Sequence, residues 1–262
     1  MKRKLETTNN ADLARVSRKI ERFISGYLSK SSAKGLVIGL SGGLDSSVVL
    51  KLAVNALSPS RVLGIIMPSD ATPKEDTNHA SELAKSLGIK YNLIDINPII
   101  EKYEALLPDD KKARGNLTAR IRMNLLYYHA GVNGYLVVGT SDKSEVDLGY
   151  YTKFGDGAAD IMPIASLYKT QVRSLAGFLN IPVVIIEKRS SPRLWDNHLA
   201  EEELGMDYET IDQILYLLND RKEARSSIVA KKLGISTATV NKVKDMVEKG
   251  LHKRRLAPTP SA

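Results

Sequence analysis

Residues 35–47 read Gly-Leu-Val-Ile-Gly-Leu-Ser-Gly-Gly-Leu-Asp-Ser-Ser, and this stretch decides the fold. The apolar, partly β-branched run at 36–40 predicts a buried strand. A serine and two glycines interrupt the run, and the pattern over 46–57 predicts a helix. A glycine turn between a strand and a helix presents unpaired backbone N–H groups at the positive end of the helix dipole. We therefore expect this turn to bind an anion.

One residue of the turn is unusual for a phosphate site. Asp45 would repel a phosphate unless a divalent cation lay between them. The kinase type of phosphate loop, G-x-x-x-x-G-K-[ST], is absent. An ordinary βα turn with Asp45 as a first-turn acid is the alternative, but Ser-Gly-Gly-x-Asp-Ser directly after a buried strand favours a nucleotide. The stretch resembles the pyrophosphate loop of the ATP pyrophosphatases, which cleave ATP between its α and β phosphates.

Composition narrows the class of protein. The 262 residues, 43% hydrophobic and 26% charged, suit one α/β domain, with or without an appendage. The chain contains no cysteine, which excludes disulfides, thiolate metal sites and a cysteine nucleophile. No apolar run approaches membrane-spanning length, and no apolar leader segment follows Met1-Lys-Arg-Lys. We therefore expect a cytoplasmic protein with no membrane partner.

The positive charge is concentrated near the C-terminus. The net charge is +8, and residues 221–255 contain eleven Lys or Arg against three Asp or Glu. The rest of the chain is thus neutral overall. We expect an anionic partner to meet this basic helical segment, and a disordered Pro-rich tail at 256–262.

Strand and helix patterns alternate along the chain. The predicted strands are 36–40, 62–67, 91–96 and 135–140. The predicted helices are 11–30, 46–57, 72–88, 97–108, 116–130, 166–179, 208–218, 228–233 and 237–248. A polar loop is expected at 109–115, no regular element at 147–163, a loop at 189–197, and either a strand or a buried helix at 183–186. This alternation predicts a single α/β domain over 1–262, an open parallel sheet with helices on both faces, and a small helical C-terminal region.

Ligands bind at the carboxyl ends of strands in such sheets. Two candidate segments fall there, the turn after Leu40 and Gly139-Thr140 after the fourth strand. Asp45 and Glu145 are acids expected at these strand ends, and their carboxylates suit Mg²⁺ held against phosphate oxygens. Helix capping for Asp45 and a solvated loop position for Glu145 are the alternatives.

Further motifs identify a family. They are Gly-Asn-Leu-Thr-Ala-Arg-Ile-Arg-Met at 115–123, Gly-Thr-Ser-Asp-Lys-Ser-Glu at 139–145, Tyr-Thr-Lys-Phe-Gly-Asp-Gly-Ala-Ala-Asp at 151–160 and Lys-Thr-Gln at 169–171. With the Ser-Gly-Gly loop they closely resemble ammonia-dependent NAD synthetase in its short, archaeal-type form. That family has a Rossmann-like fold of the adenine nucleotide alpha hydrolase type. Its members adenylate the nicotinate carboxylate of deamido-NAD, expel pyrophosphate, and let ammonia displace AMP.

The resemblance assigns ATP and metal contacts residue by residue. It implies ATP as co-substrate, Mg²⁺ at Asp45 and Glu145, and catalytic roles for Asp45 and Lys169, whose cation would offset charge on departing pyrophosphate. The residues implied for ATP are Gly39, Leu40, Ser41, Gly42, Gly43, Leu44, Asp45, Ser46, Thr140, Lys169 and Ser191.

The resemblance also implies a dinucleotide site and a homodimer. The residues implied for deamido-NAD are Arg120, Lys153, Asp160, His252 and Lys253. Arg120 and Arg122 point differently on a helix, so only one of them needs to face a ligand. Asp156 is a candidate carboxylate for attracting ammonium, with a turn role between two glycines as the alternative. Tyr27 is a candidate contributor from a second subunit.

Two positions depart from the better-known bacterial pattern. Ser141 stands where that pattern has an aspartate after Gly-Thr, which puts the role of the aspartate in doubt. Residues 190–194 read Ser-Ser-Pro-Arg-Leu instead of Pro-Thr-Ala-Asp-Leu. Ser191 retains the hydroxyl, whereas Arg193 reverses a charge and either alters nucleotide contacts or forms a loop salt bridge.

Two other functions remain open from the sequence. A tRNA-modifying ATP pyrophosphatase would share the fold, and the basic end would suit RNA, but thiolation usually needs a cysteine. A DNA-binding protein is the second alternative, because residues 228–243 resemble a helix-turn-helix with Ser236 capping its second helix. Any tight pair of helices with this capping has the same pattern, and we expect no nucleic-acid partner.

Overall fold

The structure, a computed structural model, describes residues 9–260. The Met1–Lys4 segment, used above to argue against a leader, lies outside these residues. The helices are α1 (Asn10–Lys30), α2 (Leu44–Ala56), α3 (Lys74–Ser86), α4 (Asn97–Glu104), α5 (Lys111–Asn133), α6 (Lys143–Leu148), α7 (Lys169–Phe178), α8 (Val183–Ile186), α9 (Ala200–Leu204), α10 (Tyr208–Leu215), α11 (Ser226–Leu233) and α12 (Thr237–Gly250). The strands are β1 (Gly35–Gly39), β2 (Val62–Ile66), β3 (Lys90–Leu93) and β4 (Tyr135–Val138).

The four strands form one parallel sheet in the order β3-β2-β1-β4. Leu36 of β1 is in register with Val62 of β2 on one side and Leu136 of β4 on the other. The order of the strands reverses at β1, so the crevice for a ligand opens between the carboxyl ends of β1 and β4. The predicted fold class, a parallel sheet with helices around it, is confirmed.

Helices cover both faces of the sheet because the central strand is apolar on both sides. Leu36 and Ile38 are fully buried in a cluster with residues of α1, α2, α3 and α7. Val37, between them, is fully buried in a second cluster with residues of α4 and α5. Each such side chain contributes about 1.5–3 kcal/mol of burial energy, which fixes the level at which the strand ends and the turn begins.

Some predicted boundaries were wrong, for local reasons. The expected loop at 109–115 is mostly helix, since Asp110 caps α5 by accepting a hydrogen bond from the Ala113 N–H at 2.7 Å. Residues 183–186, expected to be a strand or a buried helix, form a short helix after Pro182 that buries only Ile185. β3 ends at Leu93 instead of 96. The glycine-rich stretch at 147–163 contains the end of α6 and otherwise turns, as expected, apart from one parallel bridge between Ile161 and Val138.

The last four helices form a separate apolar cluster. Val229, Val240 and Val243 are fully buried there, packed with residues of α9 and α10 and with Leu148 and Tyr168. The lysines of α11 and α12 lie outside this cluster, and most of them are exposed to solvent. Residues 256–260 are exposed and have no regular secondary structure, and residues 261–262 of the predicted tail lie outside the described range.

The assignment of all 262 residues to a single domain stays a prediction. Over residues 9–260, no helix combines the length and apolar character needed to cross a membrane.

Candidate active site

The glycine turn lies directly at the carboxyl end of β1. Gly42 adopts a φ of +72°, and a Cβ there would lie 2.0 Å from the Asp76 carbonyl oxygen, so both its conformation and its neighbour require glycine. α2 follows at once, and its N-cap residue, Gly43, offers no side chain to cap it. The first N–H groups of α2 are thus left to a ligand, the arrangement that binds phosphate at helix N-termini.

A cavity of about 480 Å³ opens in front of this turn. Its walls come from the ends of β1, β2 and β4 and from the segments 149–158 and 188–195. Ten of the eleven residues predicted for ATP line it: Gly39, Leu40, Ser41, Gly43, Leu44, Asp45, Ser46, Thr140, Lys169 and Ser191. The eleventh, Gly42, is not part of the lining, and its carbonyl oxygen accepts a hydrogen bond from the Lys188 ammonium at 2.9 Å.

Lys169 lies at the acidic end of the cavity. Its ammonium contacts carboxylate oxygens of Asp45 at 2.8 Å, Asp142 at 2.9 Å and Glu145 at 2.8 Å. Lys169 and Asp142 are fully buried, whereas about a fifth of the Asp45 and Glu145 side chains remains accessible. One cation facing three carboxylates leaves an excess of two negative charges when all are ionised.

The excess charge perturbs the carboxyl groups. Burial, together with the neighbouring Asp45 charge, raises the pKa of Asp142 to about 6 against the opposing effect of Lys169. Burial likewise raises the pKa of Glu145 to about 8, with Asp142 adding to the rise. For Lys169 burial acts downward, but the three carboxylates outweigh it and raise its pKa well above the usual value. The site therefore favours an added cation.

Local structure explains why these groups meet. Asp142 caps α6 and forms a capping box with Glu145, so both acids are fixed on one helix turn. Asp212 of α10, itself fully buried, accepts hydrogen bonds from the Thr170 N–H at 2.9 Å and from the Ser144 hydroxyl. It thereby joins the start of α7, where Lys169 lies, to α6. No site role was predicted for Asp142, although its position three residues before Glu145, the spacing of a capping box, can be read from the sequence.

The site residues support an Mg²⁺ ion without enclosing it. Asp45 Oδ1 is buried and has no hydrogen-bond partner, so it is available to a cation. Within residues 9–260, no group of three or more His, Cys, Asp or Glu side chains is arranged to hold a metal by itself. Mg²⁺ usually takes one or two carboxylates together with waters and phosphates. Asp45 and Glu145 fit that pattern.

A second charged cluster borders the glycine turn. Asp76 of α3, about 5% exposed, contacts the Lys188 ammonium at 2.6 Å and the Arg193 guanidinium at 2.9 Å. Arg193, the position with reversed charge, thus forms an ion pair and also lines the cavity. Ser191 lines the cavity too, and its hydroxyl donates to the His198 carbonyl oxygen. Neither Lys188 nor Asp76 was predicted to belong to the site, because the residues around them form no recognisable motif.

The residues predicted for deamido-NAD are placed differently from one another. Lys253 lines the cavity, where its ammonium donates to the carbonyl oxygens of Gly149 at 2.7 Å and Tyr151 at 2.6 Å. Arg120, Lys153 and His252 lie outside the lining but in contact, since Arg120 donates to the Lys153 carbonyl and Lys153 to that of His252. These contacts form a strip next to Lys253, and its members Arg120 and His252 are exposed.

Asp160 is exposed at the end of β4, and its carboxylate accepts a hydrogen bond from the Val137 N–H at 2.7 Å. Asp156 lines the cavity, and its Oδ1 accepts the Thr152 N–H at 2.9 Å, which closes the glycine-rich turn. The turn role and the ligand role proposed for Asp156 are therefore compatible.

Arg122, and not Arg120, is the arginine of α5 that lines the cavity. Its guanidinium donates to the Met67 carbonyl at 3.1 Å, and burial lowers its pKa to about 10. Helical geometry predicts that the two arginines point in different directions, but only the packing of α5 against β1 and β4 decides which one faces inward.

Comparison with known proteins agrees with this site. A sequence model of the NAD synthase family matches residues 16–257. The chain belongs to the NAD synthase family. It is 50% identical to the NH(3)-dependent NAD(+) synthetase of Hyperthermus butylicus, over 95% of this chain and 91% of that protein. It is 47% identical to the protein of the same description from Methanocaldococcus jannaschii, over 92% of this chain and 95% of that one.

Solved structures give the same result. An NMN synthetase from Francisella tularensis superposes with a TM-score of 0.85 at 35% identity, covering 95% of this chain and 99% of that one. The NH3-dependent NAD synthetase from Campylobacter jejuni, solved with the nitrate ion, has a TM-score of 0.83 at 29% identity, covering 97% and 100%. Neither the tRNA-modifying nor the DNA-binding alternative is favoured by these likenesses.

Proposed function

We propose that the chain is a ligase that converts deamido-NAD, ammonia and ATP into NAD, AMP and pyrophosphate. Family membership supports the reaction class. The observation that carries it is one cavity in which the uncapped start of α2 meets Lys169 and the carboxylates of Asp45 and Glu145. An anion-binding turn beside a site that favours a cation suits a metal-bound nucleoside triphosphate.

In the first half-reaction the nicotinate carboxylate attacks the α-phosphorus of ATP. The bond to the bridging oxygen breaks, and pyrophosphate leaves with its electron pair. The N–H groups at the start of α2 and the hydroxyls of Ser41 and Ser46 bind phosphate oxygens. Lys169 offsets charge on the leaving group. Asp45 and Glu145 would hold Mg²⁺, which when bound neutralises phosphate charge.

In the second half-reaction ammonia attacks the carbonyl carbon of the adenylated acid. The amide forms, AMP departs, and the attacking nitrogen gives up a proton. Asp156 lines the cavity and carries a carboxylate that attracts ammonium. Glutamine cannot serve as a nitrogen source through a cysteine of this chain, because the chain contains none.

The dinucleotide acid is the proposed substrate in preference to the mononucleotide. The Francisella neighbour is described as an NMN synthetase, so the shorter acid is a specific alternative. The strip formed by Arg120, Lys153 and His252 continues beyond the cavity and gives the second nucleotide half a surface to contact. A mononucleotide would leave this strip unused.

The test is incubation with ATP, Mg²⁺, a nitrogen source and one acid at a time, followed by identification of products. Deamido-NAD with ammonium should give NAD, AMP and pyrophosphate in equal amounts, and glutamine should not replace ammonium. ADP and orthophosphate would refute the proposal. Faster turnover of the mononucleotide acid would move the assignment to NMN formation.

We also propose that the chain works as a homodimer in the cytoplasm, where ATP is available. α1 exposes Phe23 and Tyr27, and α5 exposes Tyr128 and Val132, each by more than two fifths. Apolar surface of this kind is typical of interfaces. Sedimentation equilibrium of the full chain should give twice the monomer mass, and Tyr27→Ala should raise the Michaelis constant for deamido-NAD if the partner subunit contributes that residue.

A further inference from the structure

Two cations share one buried carboxylate beside the glycine turn. Lys188 contacts Asp76 Oδ1 at 2.6 Å, and Arg193 contacts Asp76 Oδ2 at 2.9 Å. No other acid has a salt bridge to either cation within residues 9–260. The cluster formed by Asp76, Lys188 and Arg193 therefore has an excess of one positive charge.

Lys188 is the member aimed at the glycine turn. Its ammonium lies 2.9 Å from the carbonyl oxygen of Gly42, and Lys188 is one of the residues that line the same cavity as Ser41 and Gly43. An ammonium has three protons. Gly42 and Asp76 engage two of them, which leaves one donor for a ligand.

The backbone holds Lys188 in place. It follows α8, whose Ile185 is 1% exposed in the core, and its own N–H donates to the Ile185 carbonyl. A cation on an anchored segment loses less conformational freedom on binding than one on a free loop. Lys188 is thus a pre-positioned donor at the mouth of the phosphate turn.

Two clusters of opposite character therefore border the glycine turn, because Lys188 contacts the Gly42 carbonyl oxygen and Lys169 contacts the Asp45 carboxylate. The cluster around Lys169 sets three carboxyl groups against one cation, and the Asp76 cluster sets two cations against one carboxylate. A polyphosphate with a divalent cation at one end and a lysine at the other matches both. Lysine acts on phosphate as a mobile point charge.

We propose that Lys188 binds the terminal phosphates of ATP and the departing pyrophosphate, with Asp76 and Arg193 as positioning residues that orient it. The proposal rests on the proposed function for the presence of ATP. Arg193 shares the Asp76 carboxylate, so that Lys188 is not fully neutralised before the phosphates arrive. This gives the reversed charge at Arg193 a role in the site.

A purely structural role for Lys188 makes a different prediction. If Lys188 only tied the loop at 188–195 to Gly42, then removing its partner Asp76 would loosen the same tie and weaken ligand binding in parallel. If Lys188 binds phosphate, removing the competing carboxylate frees the ammonium and strengthens binding. The sign of the Asp76→Asn effect therefore separates the two roles.

The experiment measures pyrophosphate binding with Mg²⁺ by titration calorimetry, which needs no turnover. Lys188→Gln should weaken binding roughly tenfold or more, the loss of one charge-assisted contact, and Lys188→Arg should lose less. Asp76→Asn should bind pyrophosphate at least as tightly as the wild type. Lys232→Gln removes the same charge from an exposed side chain of α11 outside the cavity and should leave pyrophosphate affinity unchanged.

Circular dichroism of each variant checks the fold. If Asp76→Asn does not fold, Arg193→Gln replaces it and should weaken binding less than Lys188→Gln does. The proposal is overturned if the wild type does not bind pyrophosphate, if Lys188→Gln binds it like the wild type, or if Asp76→Asn loses affinity in parallel. Absence of NAD formation by a wild type that still binds pyrophosphate would refute the proposed function alone.

Discussion

Replacing Lys169 with methionine should destabilise the protein strongly. The substitution keeps a long unbranched side chain of similar length but removes the cation from contact with Asp45, Asp142 and Glu145. Three carboxyl groups, of which that of Asp142 is fully buried, then face one another without a counter-charge. Because little packing is lost, the change in the free energy of unfolding measures mainly the loss of the positive charge.

The ion pairs of Lys169 determine how much free energy of unfolding is lost. A single pair at 2.8–2.9 Å is worth about 6 kcal/mol at an effective dielectric constant of about 20. Desolvation of the ammonium and repulsion among the carboxylates offset much of this attraction. Removing one partner of a buried ion pair costs about 3–5 kcal/mol in practice. For a protein of this size, that lowers the melting temperature by about 6–20 °C.

The assay is urea denaturation followed by circular dichroism, with thermal melts in parallel. Lys143→Met is the matched control, because Lys143 pairs with Asp220 near the surface, with a fifth of its side chain accessible, and should lose no more than about 1 kcal/mol. Adding Asp142→Asn to Lys169→Met should restore about 1 kcal/mol or more, since it removes one unbalanced charge while asparagine still caps α6.

A Lys169→Met variant with the stability of the Lys143→Met control would refute this reasoning. So would a double variant less stable than Lys169→Met alone. Either result would mean that the carboxylates are not held ionised against the lysine.

Three other outcomes are expected. Asp45→Asn and Glu145→Gln should each lose most turnover, with the melting temperature unchanged or raised because excess negative charge is removed; near-normal rates at saturating Mg²⁺ would show that neither carboxylate holds the ion. Gly250→Ala should cost about 1–3 kcal/mol in urea denaturation, because its Cβ would lie 2.7 Å from a backbone carbonyl of α6, whereas Gly26→Ala, with nothing within 4 Å, should not destabilise. Lys253→Ala should raise the Michaelis constant for deamido-NAD roughly tenfold with little change for ATP, and equal effects on both would argue against a dinucleotide contact.

The sequence predicted strands and turns wherever a few neighbouring residues strongly favour one conformation. The apolar run at 36–40 and the glycines after it specify a buried strand and a turn, since few other residues tolerate the conformation of Gly42. The boundaries were less accurate. The start of α5 depends on one capping side chain, Asp110, in a stretch whose polar composition is typical of a loop. A four-residue apolar segment such as 183–186 has no periodicity that distinguishes a strand from a helix.

That the residues predicted for ATP would lie together was also predictable, because the turn and the strand ends lie close together in any sheet of this type. The roles assigned to them stay predictions. Burial and partner choice were not predictable. The capping box made Asp142 look like an ordinary helix start, yet it is fully buried against Lys169.

The sequence by itself determined the strand, the glycine turn, the acids at the strand ends and the basic C-terminal segment, since each depends on neighbouring residues or on net charge. Only the tertiary structure decided which charges meet. Lys169 and Asp45 are 124 positions apart, and Lys188 and Asp76 are 112 apart. Pairing across such separations depends on how the helices pack on the sheet, and no local pattern records it. The same packing turns Arg122 toward the cavity and leaves Arg120 outside, because only the three-dimensional position of α5 distinguishes two arginines on one helix.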